Sequence, residues 1–187
     1  MSMYKQMKQT FISEYKGRSD IYKARIIKWN TESTITRVEK PTNIARAREL
    51  GYKAKEGVIV ARVKVNGGSK KRKKNAGGRK PSKSGRYFTM VKSLQKIAEE
   101  RASRKFSNFE VLNSYFVGAA GSKKFYEVIL LERDNPTIIN SDYKNVVKQR
   151  GRAFRGLTSA GRKHRGISRK RYGSHKFRPS KNKYMNT

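Results

Sequence analysis

The sequence predicts an α+β fold, with a small, mostly antiparallel sheet flanked by helices. Strand-like and helical runs follow one another in the order β-α-β-α-β-β after an N-terminal helical section. The last two strand-like runs are separated by a short Gly- and Ser-containing stretch, a pattern typical of a hairpin. Runs of mixed type that end in a hairpin favour a small antiparallel sheet.

Two short helices are expected before the first strand. Ile21, Ala24, Ile26 and Ile27 recur at helical spacing and predict an apolar face, with basic residues opposite. Residues 34–38 alternate in polarity and are rich in β-branched side chains, which predicts the first strand.

A short helix is expected next, because Thr42 or Asn43 can cap its N-terminus by accepting a backbone N–H. Its end is predicted at Leu50, since Gly51 suits the left-handed residue that follows a helix. Residues 58–65 then form a second strand, buried at its start and alternating toward its end.

The second half of the predicted domain contains a helix and two strands. Residues 90–105 return to helical spacing, with four residues on one side: Leu94, Ile97, Ala98 and Arg101. Residues 109–117 and 124–131 predict strands joined by a turn at 118–122. The second of these strands is apolar enough to lie in the centre of the sheet, and the pattern fades beyond Pro136.

The long loop at residues 66–86 has no apolar periodicity and consists mainly of Gly, Ser, Asn, Pro, Lys and Arg. Such a segment cannot bury enough apolar surface to offset the entropy lost on ordering, so alone it is expected to be disordered. We therefore divide the chain into an α+β domain at residues 1–149, which includes this loop, and a basic C-terminal extension at residues 150–187.

The positive charge is concentrated in two segments. The chain has 47 Lys and Arg against 13 Asp and Glu, a net charge of +34. Residues 62–86 and 143–187 together hold 26 of the basic residues and no carboxylate, whereas residues 87–142 hold 8 basic and 7 acidic residues. A charge this large implies a polyanionic partner that neutralises it.

Several other classes of protein are excluded or disfavoured. The absence of cysteine excludes disulfides, thiolate metal sites and cysteine nucleophiles. No run approaches the ~18 apolar residues of a membrane span, and the N-terminus lacks the apolar core of a signal peptide. We expect a cytoplasmic protein that interacts with no membrane, small-molecule substrate or cofactor.

Catalysis has few candidate residues. His164 and His175 lie 11 residues apart in the basic extension, with no carboxylate nearby in sequence to orient them. The candidate carboxylate cluster is Glu127, Glu132, Asp134 and Asp142, although balancing nearby lysines is the ordinary role of such residues. We therefore expect neither an enzyme nor a metal site.

Residues 156–163 invite comparison with a P-loop, but the match fails. A P-loop requires Lys followed by Ser or Thr after its second glycine, and this chain has Arg162 and Lys163 there. No strand precedes the segment. We interpret Ser159 as the cap of a short turn whose basic face meets phosphate.

The loop and the extension are interpreted as phosphate-binding segments, because Lys and Arg displace condensed counterions while Gly lets the backbone follow an irregular surface. The alternative for the loop is a solvated or nuclear-localisation run. The RNA-binding candidates are Lys70, Lys71, Arg72, Lys73, Lys74, Arg79, Lys80, Lys83, Arg86, Arg152, Arg155, Arg162, Lys163, Arg165, Arg169, Lys170 and Arg171.

Aromatic and aliphatic side chains among the arginines allow two interpretations. The extension contains Phe154, Leu157, Ile167, Tyr172 and Phe177. Such residues suit RNA, whose unstacked bases lie on rings and guanidinium planes. Alternatively, Phe154 and Leu157 attach the start of the extension to the domain. The aromatic residues of the two last strands are interpreted as core: Tyr115, Phe116, Phe125 and Tyr126.

Five blocks between about residues 41 and 166 carry a family resemblance: residues 46–57, 93–102, 112–118, 125–130 and 155–163. In this order they resemble protein fifteen of the large ribosomal subunit, in its archaeal and eukaryotic form. The resemblance implies a small α+β domain with extensions buried in large-subunit ribosomal RNA, neighbouring ribosomal proteins as further partners, and no enzymatic activity.

Two other functions remain open from the residues themselves. One is a free nucleic-acid compaction or chaperone protein with no fixed place in a ribosome. The other is an enzyme such as a nuclease or an RNA-modifying protein, which would depend on His164 and His175. The leading hypothesis is a structural component of the large ribosomal subunit, positioned mainly by phosphate and sugar contacts.

Overall fold

Six strands and eight α-helices make up the described part of the chain, residues 2–73, 76–79, 81–90 and 92–165 of a computed structural model. The helices are α1 Met3–Gly17, α2 Asp20–Thr31, α3 Ile44–Glu49, α4 Leu94–Lys105, α5 Pro136–Ile139, α6 Lys144–Val147, α7 Arg152–Arg155 and α8 Ser159–His164. The strands are β1 Ile35–Val38, β2 Val58–Asn66, β3 Lys70–Lys71, β4 Tyr87–Phe88, β5 Phe109–Ala120 and β6 Lys123–Glu132, and a 3₁₀ turn spans Pro81–Lys83.

The main sheet has the order β1-β2-β6-β5, and every neighbouring pair is antiparallel. Strand β6 lies in the centre, as predicted, and its side chains from Phe125 to Leu131 are all buried. The sheet with its flanking helices confirms the predicted α+β fold. None of the described helices is both long enough and apolar enough to cross a bilayer.

The two faces of this sheet bury different side chains, because successive strand residues point to opposite sides. One face packs Val128 and Leu130 against Ala98 and Ala102 of α4. The other face packs Phe125 and Ile129 with residues of α2 and α3. The sheet therefore lies between two helical layers.

Helix α2 turns a different face to the sheet from the one predicted. Ile21 and Ile27 are 58% and 67% exposed, whereas Tyr22 and Trp29 are buried. Trp29 packs on Phe125, with ring centroids 5.5 Å apart. Of the predicted stripe, Ile26 does pack against the core, but Ile21 and Ile27 are replaced there by two large aromatic rings that also recur at helical spacing.

The hairpin turn is shorter than predicted. Strand β5 continues through Ala120, so residues 118–120 belong to the strand and only Gly121 and Ser122 form the turn. Gly118 is favoured in the strand because a Cβ there would lie 3.0 Å from Ile26 and 3.2 Å from the Tyr22 hydroxyl, so that α2 would have to shift. A glycine that the sequence places in a turn thus lies in a strand and makes room for α2.

Helix α4 begins at Leu94 rather than at residue 90. The Ser93 hydroxyl caps it by accepting from the Lys96 backbone N–H at 3.3 Å. The preceding chain is used differently, since Tyr87 and Phe88 form strand β4 and pair with β3. The Ser93 cap therefore sets the start of the helix four residues later than predicted.

Helix α3 agrees with the sequence prediction at both ends. The Asn43 side chain accepts from the Arg46 backbone N–H at 2.9 Å, and Gly51 has the positive φ of +96° expected after a helix end. Thr42, the alternative cap, instead donates from its hydroxyl and its backbone N–H to Glu127, at 2.5 and 3.0 Å.

The aromatic residues of β5 and β6 are mainly core, as interpreted from the sequence. Tyr115, Phe125 and Tyr126 are buried. Phe116 is 37% exposed and packs edge-on against Tyr15 and Tyr126. The ring of Tyr115 also brings its hydroxyl to the carboxylate of buried Glu127.

Candidate nucleic-acid interface

The basic arm, residues 67–90, leaves the main sheet after β2 and carries the first group of cations. At its base, the Gly67 backbone N–H donates to the Ser122 carbonyl in the β5–β6 turn at 2.7 Å. Lys70 pairs with Phe88 and Lys71 with Tyr87, and the Arg72 N–H donates to the Arg86 carbonyl at 2.8 Å. The arm therefore projects as a short two-stranded ribbon.

Every arm cation with a described side chain is exposed: Lys70, Lys71, Arg72, Lys73, Arg79 and Arg86. None of these six has a carboxylate partner in the described residues, whereas basic residues elsewhere form ion pairs with the acids of the domain. Lys74, Lys80 and the side chain of Lys83 lie outside the described part of the chain. Unpaired, exposed cations of this kind suit a phosphate surface.

The C-terminal segment, residues 151–165, carries the second group of cations on two short helices. Arg155, Arg162, Lys163 and Arg165 are exposed. The opposite side of the segment is buried against α4 and β5, where Ala153 is fully enclosed. The segment therefore presents its charges from a fixed position on the domain.

Buried Glu110 holds the start of this segment. Its carboxylate accepts from the backbone N–H groups of Gly151 and Arg152, at 2.9 and 3.4 Å. A carboxylate at the N-terminus of a helix satisfies N–H groups that have no partner within the helix. Glu110 therefore fixes where α7 begins.

Arg152 differs from the other predicted RNA-binding residues because the protein itself uses its donors. Its Nε donates to the Val111 carbonyl at 3.1 Å, and its Nη1 donates to the Gln149 side chain at 2.6 Å. Burial lowers the pKa of this guanidinium, while nearby Glu110 raises it. Arg152 thus lies at the junction between the domain and the segment.

Buried Glu99 of α4 holds the second half of the segment. Its carboxylate accepts from the Thr158 hydroxyl at 2.5 Å and from the Ser114 hydroxyl of β5. Burial raises the pKa of Glu99, and the two hydroxyl hydrogen bonds act against that rise. One carboxylate therefore joins α4, β5 and the C-terminal segment.

Thr158, and not Ser159, caps helix α8. The Thr158 hydroxyl accepts from the Gly161 backbone N–H at 3.1 Å, while Ser159 is already the first helical residue and is exposed. The prediction of Ser159 was wrong because the cap must also reach Glu99 across the buried side. Sequence spacing alone does not distinguish two adjacent hydroxyl residues.

The two glycines that suggested a P-loop have a packing role. A Cβ on Gly161 would lie 2.5 Å from the Gly156 Cα and 2.6 Å from its carbonyl carbon. Gly156 itself has a φ of +67° where α7 ends. The turn between α7 and α8 therefore closes by direct backbone contact, which only glycine at position 161 allows.

With the two cationic surfaces described, the chain can be compared with known proteins. Residues 2–184 match the sequence pattern of the family described as Ribosomal L15. The chain belongs to this family. The match confirms the resemblance predicted from the five blocks and extends it on both sides of residues 41–166.

The chain is similar to three archaeal proteins of the same name. Large ribosomal subunit protein eL15 of Metallosphaera sedula is 48% identical over 174 residues, covering 91% of this chain and 80% of the relative. The protein of that name in Methanospirillum hungatei is 47% identical over 184 residues, covering 96% and 94%. The Picrophilus torridus protein is 48% identical over 172 residues, covering 87% of both chains.

A third group of cations, missed by the sequence predictions, surrounds a cavity of about 420 Å³ in this Ribosomal L15 chain. The basic residues that line it are Arg133, Lys144, Lys148 and Arg150, and Asp134 is the one lining carboxylate. Three of the four lie in the acid-free stretch that begins at residue 143. The absence of acids from that stretch could have identified these three residues. Arg133 lies in the nearly neutral region 87–142, where the sequence offers no such indication.

The carboxylates considered as a possible cluster in the Ribosomal L15 chain have separate roles. Glu127 is buried and bonded to Thr42, and Asp142 pairs with Lys53 at 2.7 Å. Among the described residues, no group of three or more His, Asp or Glu side chains is placed to hold a metal ion. Asp142 thus balances a nearby lysine, as interpreted from the sequence, whereas buried Glu127 accepts hydrogen bonds from Thr42 inside the fold.

At the start of the extension, Phe154 is exposed and Leu157 is half-buried. Phe154 is 45% exposed, and the Arg104 guanidinium lies 5.5 Å from its ring centroid. Ala153 and Ala160, rather than Phe154, provide the buried attachment to the domain. Arg169, Lys170 and Arg171, together with Ile167, Tyr172 and Phe177, lie outside the described residues.

Proposed function

We propose that this chain is a structural constituent of the large ribosomal subunit, in the cytoplasm, and supports translation without catalysis. It binds and stabilises folded ribosomal RNA mainly through phosphate contacts, with neighbouring large-subunit proteins as further partners. The observation that carries this proposal is the exposure of acid-free cationic segments on a member of the Ribosomal L15 family. The relatives named large ribosomal subunit protein support it.

The distribution of charge supports phosphate binding over sequence readout. Glu99, Glu100, Glu110 and Glu127 are buried, so these carboxylates do not oppose an approaching polyanion at the surface. Lys and Arg side chains on exposed segments neutralise phosphates and release counterions. Contacts to phosphate and sugar position a nucleic acid without reading its bases.

The proposed phosphate-binding residues combine the sequence predictions with the described cavity. They are Lys70 to Lys74, Arg79, Lys80, Lys83, Arg86, Arg155, Arg162, Lys163, Arg165, Arg169, Lys170 and Arg171, with Arg133, Lys144, Lys148 and Arg150 added. Arg152 joins the set with part of its guanidinium committed to the protein. In this proposal residues 1–149 form the domain and residues 150–187 the RNA-threading extension, whose first part, residues 151–165, packs on the domain.

Washing purified large subunits with increasing salt tests the proposal. We expect the chain to remain bound through high-salt washing, because many phosphate contacts act together with the packing of a folded domain in the subunit. Release at modest salt, together with recovery of the protein on DNA, would favour the free compaction or chaperone protein instead.

Charge-removing variants then test which segments make the contacts. Lys70, Lys71, Arg72 and Lys73 are replaced by Gln in one variant, and Arg155, Arg162, Lys163 and Arg165 in another. Each lost phosphate contact should lower the salt dependence of RNA binding by about one unit of slope, so each variant should lose about four. A matched control replaces Lys5, Lys16, Lys23 and Lys28 on α1 and α2, and a similar loss there would contradict the assigned segments.

The enzyme alternative has its own test. His164→Ala and His175→Ala variants are assayed on RNA alongside the unaltered chain. We expect no turnover by any of the three proteins. Turnover by the unaltered chain that both substitutions abolish would overturn the structural assignment.

A further inference from the structure

Tyr87, at the tip side of the arm ribbon, is the most exposed large apolar side chain in the described part of the protein. Its side chain is 68% exposed, against 37% for its neighbour Phe88. The arm has no hydrophobic core of its own, so this ring gains nothing from folding. The Tyr87 ring is therefore open to solvent and available to a partner.

Phe88 has a role within the arm. The Arg72 guanidinium lies 4.2 Å from the Phe88 ring centroid, a cation–π contact. Gly85 packs against the same ring, because a Cβ there would lie 3.0 Å from the Phe88 Cζ. Phe88 therefore holds strands β3 and β4 together on one face of the ribbon.

Tyr87 lies on the other side of the ribbon, because successive residues of a strand point to opposite faces. The residue paired with it is Lys71, which is also exposed and shares its face. Tyr87 has no ring contact or hydrogen bond with any other described residue. This face thus presents one open aromatic ring beside one ammonium group.

The charge of the arm determines which partner this face fits. Residues 67–90 contain nine Lys and Arg and no carboxylate. A partner must therefore supply negative charge next to Lys71 and a flat apolar face over Tyr87. An unpaired nucleotide supplies both, since its base stacks on aromatic rings and its phosphate pairs with lysine.

We propose that Tyr87 is a base-stacking residue that receives one unpaired base of the bound RNA, with Lys71 at the adjoining phosphate. The Phe88–Arg72 contact holds the ribbon so that the Tyr87 ring faces outward. This inference rests on the proposed function and adds a base contact to an interface otherwise made through phosphates.

Chemical probing of unpaired bases in large subunits that carry variants of the full chain tests the inference. Tyr87→Leu keeps apolar volume but removes the ring, whereas Tyr87→Phe keeps the ring and removes the hydroxyl. Met90→Ala is the matched control, because Met90 is an exposed apolar residue of the same arm without a ring. High-salt washing confirms that each variant remains on the subunit.

We expect Tyr87→Leu to raise the reactivity of one unpaired nucleotide by at least about fivefold, the loss that one stacked base implies. Tyr87→Phe and Met90→Ala should leave that nucleotide protected. If the Tyr87→Leu protein stays on the subunit and the RNA reactivity is unchanged, the stacking role alone is overturned. The same holds if the variant changes the contacts of a neighbouring protein while the RNA reactivity stays the same. Loss of the unaltered chain at modest salt would overturn the proposed function and, with it, this inference.

Discussion

The arm and the C-terminal segment carry the same kind of charge but are held in different ways. The arm cations lie on a ribbon of only two residue pairs, and the Arg72–Phe88 contact stabilises this ribbon. The C-terminal cations stand on helices whose other side is buried against the domain, with Glu99 and Glu110 bonded to their backbone and cap. A basic segment can therefore be positioned before RNA arrives, or left for RNA to position.

The difference shows what carboxylates do in a chain with so few of them. Glu99 and Glu110 lie beneath the C-terminal segment, where each satisfies polar groups that would otherwise be buried without partners. Residues of the arm receive no such carboxylate among the described contacts. Burying the acids fixes the segment and removes negative charge from the surface that we propose to face RNA.

The largest effect on stability is expected for Gly161→Ala, in the C-terminal segment. The new Cβ would lie 2.5 Å from the Gly156 Cα, so the turn between α7 and α8 must open. We expect the free energy of unfolding to fall by about 3 kcal/mol, measured by denaturant titration of the full chain. Gly17→Ala is the control, because nothing lies within 4 Å of its Cβ position, and it should be close to neutral. Equal effects of the two changes would contradict the backbone packing.

Thr158→Val should have the next largest effect. It removes both the donor to Glu99 and the cap of α8 while keeping the size of the side chain. We expect a loss of about 2 kcal/mol, because a buried carboxylate oxygen is left without a partner. Thermal and denaturant unfolding measure it. Ser159→Ala, one residue along, should cost under about 0.5 kcal/mol, and a larger loss there would restore Ser159 as the cap.

Glu99 predicts a smaller, pH-dependent effect. Burial raises its pKa from the ordinary value of 4.5, against the opposing hydroxyls of Ser114 and Thr158 and the charges of Arg152 and Lys96. The folded state therefore holds the proton more tightly than the unfolded chain. This contribution to stability is complete below the unfolded pKa and is lost as the pH rises through the folded pKa. Glu99→Gln should reduce that decline in unfolding titrations carried from the ordinary carboxyl pKa of 4.5 upward.

Glu49 provides a control of opposite sign. Hydrogen bonds from Arg46 and Lys8 lower its pKa, so its contribution is lost as the pH falls. Glu49→Gln should therefore leave the decline above pH 4.5 unchanged. If Glu99→Gln and Glu49→Gln had the same pH profile, Glu99 would not be the buried group that the structure describes.

The smallest effect is expected in the arm. Phe88→Leu removes the ring beneath Arg72 but touches no part of the main core. We expect the free energy of unfolding to change by less than about 0.5 kcal/mol, since the ribbon contributes little to the folded domain. Amide exchange at residues 70–72 should become faster, as the ribbon loses its brace. A loss as large as that of Thr158→Val would show that the two segments are held alike.

Local patterns in the sequence predict the strands, a helix cap at Thr42 or Asn43 and the division of charge, because each depends on residues close together in the chain. The anchors of the C-terminal segment depend on residues far apart. Glu99 and Thr158 are separated by 59 positions, and Glu110 and Gly151 by 41. No local window relates such pairs, so the segment from residue 151 resembles a free tail in the sequence.

Two glycine patterns show the same limit of local sequence. The spacing of Gly156 and Gly161 resembles a phosphate loop that the following Arg162 and Lys163 exclude, and only the folded turn shows that these glycines serve a close backbone approach. Gly118 resembles a turn residue, although it lies in β5 and makes room for Tyr22. Glycine identifies a need for space or for a positive φ, and only the fold says which of the two it serves.

Amide hydrogen exchange, measured on the free chain and again on the chain in the large subunit, tests the central claim most directly. In the free chain we expect slow exchange at residues 153–163, comparable with β6, and fast exchange at residues 70–73 and 84–88. In the subunit the arm should gain protection, while residues 153–163 change little. Equal protection of both segments in the free chain, or an arm that stays unprotected in the subunit, would contradict the account.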